Sequence, residues 1–174
     1  MSAADVAKGA ALVFSAAIVQ VTLLSSLSVL GGTPDLVLVT LIAVSLLRGS
    51  IFGACAGFGA GLVVDTANLD TLGVTSLLLT LAGYWIGRYG ETTGRDRTHA
   101  PFVSVAIVTV LYAVGALVLH YLLGETASAN AVLVESLLPT LIFNLILTLP
   151  VYALCRRLFG PSARVDAAEV RLLG

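Results

Sequence analysis

The sequence predicts an all-α membrane protein, a bundle of six transmembrane helices, from three observations. Hydrophobic residues make up 58% of the 174 residues and charged residues only 11%, whereas a soluble domain carries about 25% charged residues. Six apolar runs follow one another along the chain. All nine lysines and arginines fall on one side of a six-crossing threading. The predicted spans cover residues 9–30, 33–47, 50–66, 71–87, 101–123 and 134–155.

The distribution of charge predicts the orientation of these spans. Cytoplasmic loops of membrane proteins carry an excess of Lys and Arg, whereas acids contribute little to topology. We therefore expect one integral membrane domain, residues 1–174, in the bacterial cytoplasmic (inner) membrane, with both termini in the cytoplasm. The predicted inner bases are Lys8, Arg48, Arg88, Arg95, Arg97, Arg156, Arg157, Arg164 and Arg171, and the predicted outer acids are Asp35, Asp65, Asp70, Glu125 and Glu135.

Composition also excludes several classes of function. Six spans leave no room for a separate soluble domain, and no basic patch lies outside the membrane-proximal loops, so we expect no nucleic-acid partner. The inner bases are expected to contact anionic lipid head groups. Cys55 and Cys155 lie in spans rather than outer loops, which argues against a structural disulfide. No residues occur at metal-ligand spacing, so no metal or cofactor is predicted.

Spans 1 and 2 meet at a polar break. Span 1 is uncharged and contains Gln20 near its middle. After it, Thr33 can cap the next helix, Pro34 suits its first turn and Asp35 favours the positive end of its dipole. Span 2 is short, roughly 23 Å at 1.5 Å per residue, against a hydrocarbon thickness of about 30 Å. This predicts local thinning or a helix shielded by neighbours, with a re-entrant pair of spans 2 and 3 as the alternative.

Span 3 contains glycine at every fourth residue. Gly49, Gly53, Gly57 and Gly61 share one helix face, which makes a smooth groove that another helix can approach closely. Two interpretations stay open. The face packs against a helix of the same bundle, or it receives the helix of a partner protein.

Asp65 at the outer end of span 3 is the strongest single candidate site. A carboxylate in a membrane is costly, which makes it a candidate for function. One interpretation is an inter-helix polar contact or a charged partner site. The other is an interfacial acid that caps Thr66 or Asn68 locally.

The last three spans contain few polar residues. Arg88 and neighbouring aromatic residues mark the inner end of span 4, and Pro101 opens span 5. In span 6, Thr140, Asn144 and Thr148 follow at i, i+4 and i+8 and form one polar stripe. Hydrogen bonds between helices explain such a stripe, and a polar cavity for a ligand is the alternative.

The chain is not predicted to be an enzyme. No arrangement of nucleophile and base is visible, and the glycines of span 3 are not followed by the Lys-Ser/Thr of a phosphate-binding loop. The outer loops are too short to form a catalytic domain.

Several segments match one known family in order. They are Pro34-Asp35-Leu36-Val37-Leu38, Leu46-Leu47-Arg48-Gly49, the glycines of span 3 with Asp65, Leu72-Gly73, Gly83-Tyr84 with Gly87-Arg88, Leu138-Pro139, Asn144, Leu149-Pro150-Val151-Tyr152 and Arg156-Arg157. This set resembles the rod shape-determining protein MreD family over essentially the whole chain, although span 1 and span 5 match in length and hydropathy only.

The resemblance implies a non-enzymatic scaffold of the bacterial elongation (rod) complex. It implies a six-helix bundle similar to the S-components of energy-coupling vitamin transporters. It also implies MreC as the direct partner, and through MreC a link to the RodA glycosyltransferase, a class B penicillin-binding transpeptidase and the MreB filament.

The hypothesised partner-binding surface combines the glycine face of span 3 with nearby polar residues. A rival hypothesis is the substrate-binding membrane component of a vitamin or small-molecule transporter, for which Ala3, Ala7 and Ala11 would be a docking face but the outer loops are short. A lipid or precursor translocator is a third possibility. The residues proposed for partner binding are Gly53, Gly57, Gly61, Asp65, Asp35 and Asn144.

Overall fold

The structure is a computed structural model that describes residues 3–24, 32–69, 71–93, 99–124 and 136–159. It confirms the all-helical class, since this part of the chain contains six α-helices and no strand beyond an isolated bridge residue. Asp70, Arg95, Arg97, Glu125, Glu135, Arg164 and Arg171 lie outside it. The helices are α1 (Ala3–Val19), α2 (Leu36–Arg48), α3 (Ser50–Asn68), α4 (Val74–Thr93), α5 (Ala100–Leu122) and α6 (Leu137–Phe159).

Among the described residues, four segments are long and apolar enough to cross a membrane, which makes this a multi-pass membrane protein. Three lie in α3, α5 and α6, and one comprises most of α1 and the turn that continues it. The α2 helix is shorter, with 13 residues, and α4 carries Arg88 and Glu91 near its end. Membrane crossing by α2 and α4 therefore stays a prediction. The four segments are Asp5–Thr22, Ser50–Asn68, Ala100–Leu122 and Leu137–Phe159.

The short helix α2 lies at the centre of the bundle. Every residue from 37 to 46 is buried, and α2 contacts each of the other five helices. A helix of 13 residues is about 20 Å long, too short to span the hydrocarbon layer alone. Of the two explanations predicted for its length, shielding by neighbouring helices is the one that the structure confirms.

The start of α2 differs from the prediction. Thr33 was expected to cap the helix and Pro34 to lie in its first turn. Instead α2 begins at Leu36, and Asp35 is the N-cap, because its carboxylate accepts a hydrogen bond from the backbone N–H of Leu38 at 2.9 Å. The chain from Gly32 to Asp35 runs beside α6, so the helix starts inside the bundle.

The α1 helix also differs from the predicted span of residues 9–30. It begins at Ala3, and its regular part ends at Val19. A π-helical turn, Gln20–Leu24, follows. Widened turns of this kind are frequent at functional sites, and here the turn contains Gln20, which contacts α2.

One end of the bundle, called the basic end below, brings together the start of α1 and the ends of α2 and α6. The guanidinium of Arg48 lies 3.1 Å from the carboxylate of Asp5 and 4.4 Å from the centre of the Phe159 ring. Its side chain is only 8% exposed. Since Arg48 is the last residue of α2, its charge also faces the negative end of that helix dipole.

Candidate functional site

The glycine face of α3 packs against α4. A methyl carbon added to Gly53 would collide with the carbonyl oxygen of Gly83, and one added to Gly57 with the carbonyl of Leu79. At Gly61 it would collide with the backbone of Ser76. The face is therefore used for packing within the chain, the first of the two interpretations. A role for Gly53, Gly57 and Gly61 in partner binding stays a prediction.

The other side of this contact is also built from glycine. Gly83 faces the carbonyl of Gly53, and Gly87 faces the backbone of Gly49 and Ser50. Gly90, further along α4, faces α2 instead, at the carbonyl of Leu46. Small residues on both helices let the backbones approach closely, which is how helices pack in lipid. The α3 and α4 helices share the most extensive contact in the bundle. In the sequence, Gly83 and Gly87 stand out only as motif residues, and nothing there pairs them with α3.

Asp65 is fully buried and caps the start of α4. Its carboxylate accepts hydrogen bonds from the backbone N–H groups of Gly73 at 2.8 Å, Thr75 at 3.2 Å and Ser76 at 3.3 Å. The first N–H groups of a helix have no partner within it, and a negative charge is stabilised there. The inter-helix interpretation is therefore confirmed.

The other interpretation, that Asp65 caps Thr66 or Asn68 locally, is wrong. The hydroxyl of Thr66 donates instead to the carbonyl of Leu62 at 2.7 Å. Leu69 adopts the left-handed conformation, with φ of 56°, and ends α3. The N–H groups at the start of α4 supply the partners of the Asp65 carboxylate.

Glu91 makes the corresponding contact at the basic end. The backbone N–H of Ser50 donates to its carboxylate at 2.8 Å, and the Ser50 hydroxyl lies 3.0 and 3.2 Å from its two oxygens. The hydrogen bond from the Ser50 N–H, then that from the Ser50 hydroxyl, holds the pKa of Glu91 below its ordinary value, with a further contribution from Arg88. Sequence reasoning missed this residue, although the serine that opens α3 was a signal that its N-terminus needed a partner.

A second polar cluster surrounds the start of α2. Gln20 accepts a hydrogen bond from the backbone N–H of Val37 at 2.7 Å. The side-chain oxygen of Asn144 accepts one from the N–H of Asp35 at 2.8 Å, and Asp35 itself accepts from Leu38. Gln20 after α1, Asp35 before α2 and Asn144 in α6 thus accept hydrogen bonds from backbone N–H groups. These groups would otherwise have no partner in a low-dielectric interior.

Asn144 joins α6 to α5 as well as to α2. Its amide nitrogen donates to the hydroxyl of Thr109 at 3.1 Å, and its side chain is fully buried. Thr140 accepts from the N–H of Thr33 at 3.3 Å, whereas the Thr148 hydroxyl donates to the carbonyl of Asn144 in its own helix. Hydrogen bonding between helices therefore explains Asn144, and Thr140 bonds to the chain just before α2.

The structure does not join all the predicted site residues in one place. Gly53, Gly57 and Gly61 line the α3–α4 contact with Asp65 at its end, whereas Asp35 and Asn144 lie together around α2. In the part of the chain that is described, no group of three or more His, Cys, Asp or Glu side chains could hold a metal ion. In both places a carboxylate or an amide accepts hydrogen bonds from a helix N-terminus. The visible role of these polar side chains is therefore to hold helices together.

Comparison with known families gives a match over most of the chain. The family model of the rod shape-determining protein MreD matches residues 9–159. The chain belongs to the MreD family. No curated protein and no solved structure gives a significant match.

Membership of the MreD family confirms the resemblance and gives a role in rod shape determination. MreD proteins are structural membrane proteins of the rod-shape complex rather than known enzymes, which is consistent with protein partners. The matched range runs from Gly9 in α1 to the end of α6 and so includes both polar clusters. The likeness to the S-components of vitamin transporters stays a prediction.

Proposed function

We propose that this MreD-family chain is a non-enzymatic scaffold of the inner membrane that binds MreC and helps organise lateral peptidoglycan synthesis. Its links to RodA, to a class B penicillin-binding transpeptidase and to MreB would run through MreC. The observation that carries the proposal is the family match over residues 9–159. The basic end of the bundle, with Arg48, Arg88, Arg156 and Arg157, would face the cytoplasm, as Lys and Arg do in other membrane proteins.

The polar cluster around the start of α2, formed by Gln20, Asp35 and Asn144, supports a scaffold rather than a transporter. In transporters with interrupted helices, N-termini inside the membrane point at anionic groups of the substrate. Here α2 also starts inside the bundle, but Asp35, Gln20 and Asn144 already accept hydrogen bonds from its first N–H groups. The chain thus uses its own side chains where a transporter would place its ligand.

The residues first proposed for partner binding would act on MreC indirectly. A partner helix could reach Gly53, Gly57 or Gly61 only if α3 and α4 separated, because their backbones are in contact. Asp65 is likewise occupied by α4. We therefore expect these residues to shape the α3–α4 pair, and MreC to contact surfaces that this pair presents outward.

The outward surface of α3 offers one such region. Ile51, Cys55, Phe58 and Leu62 are exposed on it. Gly59 lies on the same side, and no described atom comes within 4 Å of a methyl carbon added there. Two glycines of one helix, Gly57 and Gly59, thus face opposite environments, which makes them a matched pair for an experiment.

The test is detergent co-purification of the tagged chain with MreC from the same cell, with MreC quantified per folded chain by gel filtration. The unaltered chain should retain MreC. Gly57→Leu should lower the amount of folded protein while each folded chain still retains MreC. Gly59→Leu should fold normally, and a loss of MreC in that variant alone would locate the partner on the outer face of α3.

Two results would contradict the proposal. The first is failure of the unaltered, folded chain to retain MreC. The second is the detection by native mass spectrometry of a stoichiometric small molecule on that MreC-free chain, which would favour transport. A loss of MreC from folded Gly57→Leu protein would restore the hypothesis that the glycine face itself contacts the partner.

A further inference from the structure

The end of α6 carries two arginines that have no acidic partner among the described residues. Arg156 and Arg157 are exposed. The two ion pairs found in that part of the chain join Arg48 to Asp5 and Arg88 to Glu91. Two adjacent guanidinium groups at a membrane surface form a site of concentrated positive charge.

These arginines line a shallow concavity together with Ala153. Its volume is about 350 Å³, roughly ten times the share of about 30 Å³ that one water molecule takes in the liquid. The concavity is open rather than enclosed, so a lipid headgroup can reach both guanidinium groups from outside the bundle.

An apolar stripe leads along α6 to the concavity. Leu138, Ile142, Ile146 and Leu149 are all exposed, and their spacing of four, four and three residues places them on one helix face. The same face continues with Ala153 and Arg157. From Ile146 to Arg157 the helix rises about 16 Å, half of a hydrocarbon thickness of about 30 Å. The part of the stripe from Ile146 onward therefore extends over about one leaflet before it reaches the arginines.

We propose that this surface binds one anionic phospholipid, of the phosphatidylglycerol class, in the leaflet at the basic end. The phosphate lies against Arg156 and Arg157, and an acyl chain lies along Leu149 and Ile146. Guanidinium groups bind phosphate through paired, charge-assisted hydrogen bonds. The apolar stripe selects a lipid over a soluble phosphate, and two positive charges without an acidic partner among the described residues select a headgroup with net negative charge.

The test compares two single-tryptophan forms of the full chain in phosphatidylcholine nanodiscs. The first is the natural chain, whose only tryptophan, Trp85, is exposed on α4. The second carries Trp85→Phe and Leu149→Trp, which moves the fluorophore to the α6 stripe. Quenching is measured with phosphatidylglycerol brominated on its acyl chains and, separately, with equally brominated phosphatidylcholine.

At position 149, brominated phosphatidylglycerol should associate more strongly than brominated phosphatidylcholine. Each base near an anionic membrane surface contributes about 1 kcal/mol, or about fivefold, so we expect a preference of fivefold or more. Arg156→Gln with Arg157→Gln should reduce it to about one. Arg156→Lys with Arg157→Lys, which keeps the charge, should give an intermediate value. Trp85 should report little preference, and Arg88→Gln is the matched control, since Arg88 is ion-paired with Glu91.

Several results would overturn the proposal. Equal quenching by the two lipids at position 149 would mean that the stripe meets bulk lipid only. Insensitivity to both lipids would mean that a protein covers it. An equal effect of Arg88→Gln would mean that overall charge is responsible. Loss of the preference on adding excess glycerol 3-phosphate would mean that the arginines bind a soluble phosphate instead.

Discussion

Asp65 and Glu91 lie at opposite ends of the α3–α4 pair. Each stands near the end of its own helix and caps the start of the other. Asp65, near the end of α3, accepts N–H groups at the start of α4. Glu91, near the end of α4, accepts the N–H and hydroxyl of Ser50, the first residue of α3. Between the two caps the backbones touch at glycine. The register of α3 against α4 is thus fixed at both ends and along its length.

Replacement of Asp65 by alanine should destabilise the protein strongly. The change leaves the half-buried N–H groups of Gly73 and Thr75 and the buried N–H of Ser76 without an acceptor. An unsatisfied buried group costs about 1–3 kcal/mol, so we expect a loss of at least about 2 kcal/mol. The measurement is reversible unfolding in mixed micelles with increasing dodecyl sulfate.

The control for this change is the next residue. Thr66→Ala removes a hydroxyl that bonds only within its own helix turn, so its effect on the free energy of unfolding should stay below about 0.5 kcal/mol. Asp65→Asn, which keeps one acceptor oxygen, should fall between the two. Equal stability of Asp65→Ala and Thr66→Ala would show that the cap contributes nothing.

The contribution of Glu91 should depend on pH. Its pKa is lower in the folded protein than its ordinary value of 4.5, so its stabilising effect is present above that value. The effect is lost as the pH falls below 4.5 and through the folded pKa. Thermal unfolding of the natural chain and of Glu91→Gln, measured from pH 7 to pH 3, should therefore differ most near neutrality and converge in acid. A difference that stays constant over this range would contradict an electrostatic role.

Alanine at two glycines of α3 should have opposite effects. Gly53→Ala places a methyl group against the Gly83 carbonyl, and such overpacking costs about 1–3 kcal/mol. Gly59→Ala meets open space, and alanine is favoured over glycine in a helix by about 1 kcal/mol. Unfolding in the same mixed micelles should show Gly53→Ala less stable and Gly59→Ala as stable as the natural chain or more. Destabilisation by Gly59→Ala would place an unseen neighbour on the outer face of α3.

The sequence predicted six helices from apolar runs and the placement of Lys and Arg, and a smooth glycine face from a four-residue repeat, because each of these is a pattern along the chain itself. It could not identify α4 as the partner of Gly53 and Gly57, since a four-residue repeat shows that a face is smooth without showing what covers it. The contact between Ser50 and Glu91 was missed for a similar reason. The two residues are 41 positions apart, and only the antiparallel register of α3 and α4 brings them together.

The central position of α2 was also beyond the sequence. Hydropathy treats lipid and protein interior alike, because both are apolar, so the short run could mean a thinned membrane or a shielded helix. The contacts that hold α2 inside the bundle involve Gln20 and Asn144. These side chains belong to distant parts of the chain and accept hydrogen bonds from N–H groups at the start of α2. Asn144 was predicted as a polar stripe residue, but Thr109, its partner on α5, was not noted at all.

Replacement of Asn144 by leucine should loosen the contact between α2, α5 and α6. The two side chains are similar in size, so the change mainly removes the acceptor for the Asp35 N–H and the donor to Thr109. Hydrogen bonds between helices in membranes contribute about 0.6 kcal/mol on average and up to about 1.7 kcal/mol. With two bonds lost, we expect a decrease of about 1–3 kcal/mol in the free energy of unfolding.

Thr148→Val is the matched control, because Thr148 is equally buried on the same stripe but bonds only to the Asn144 carbonyl of its own helix. Its effect should stay below about 1 kcal/mol. If Thr148→Val destabilised the chain as much as Asn144→Leu, burial of polar groups in general, rather than the link from α6 to the start of α2, would set the stability of this region.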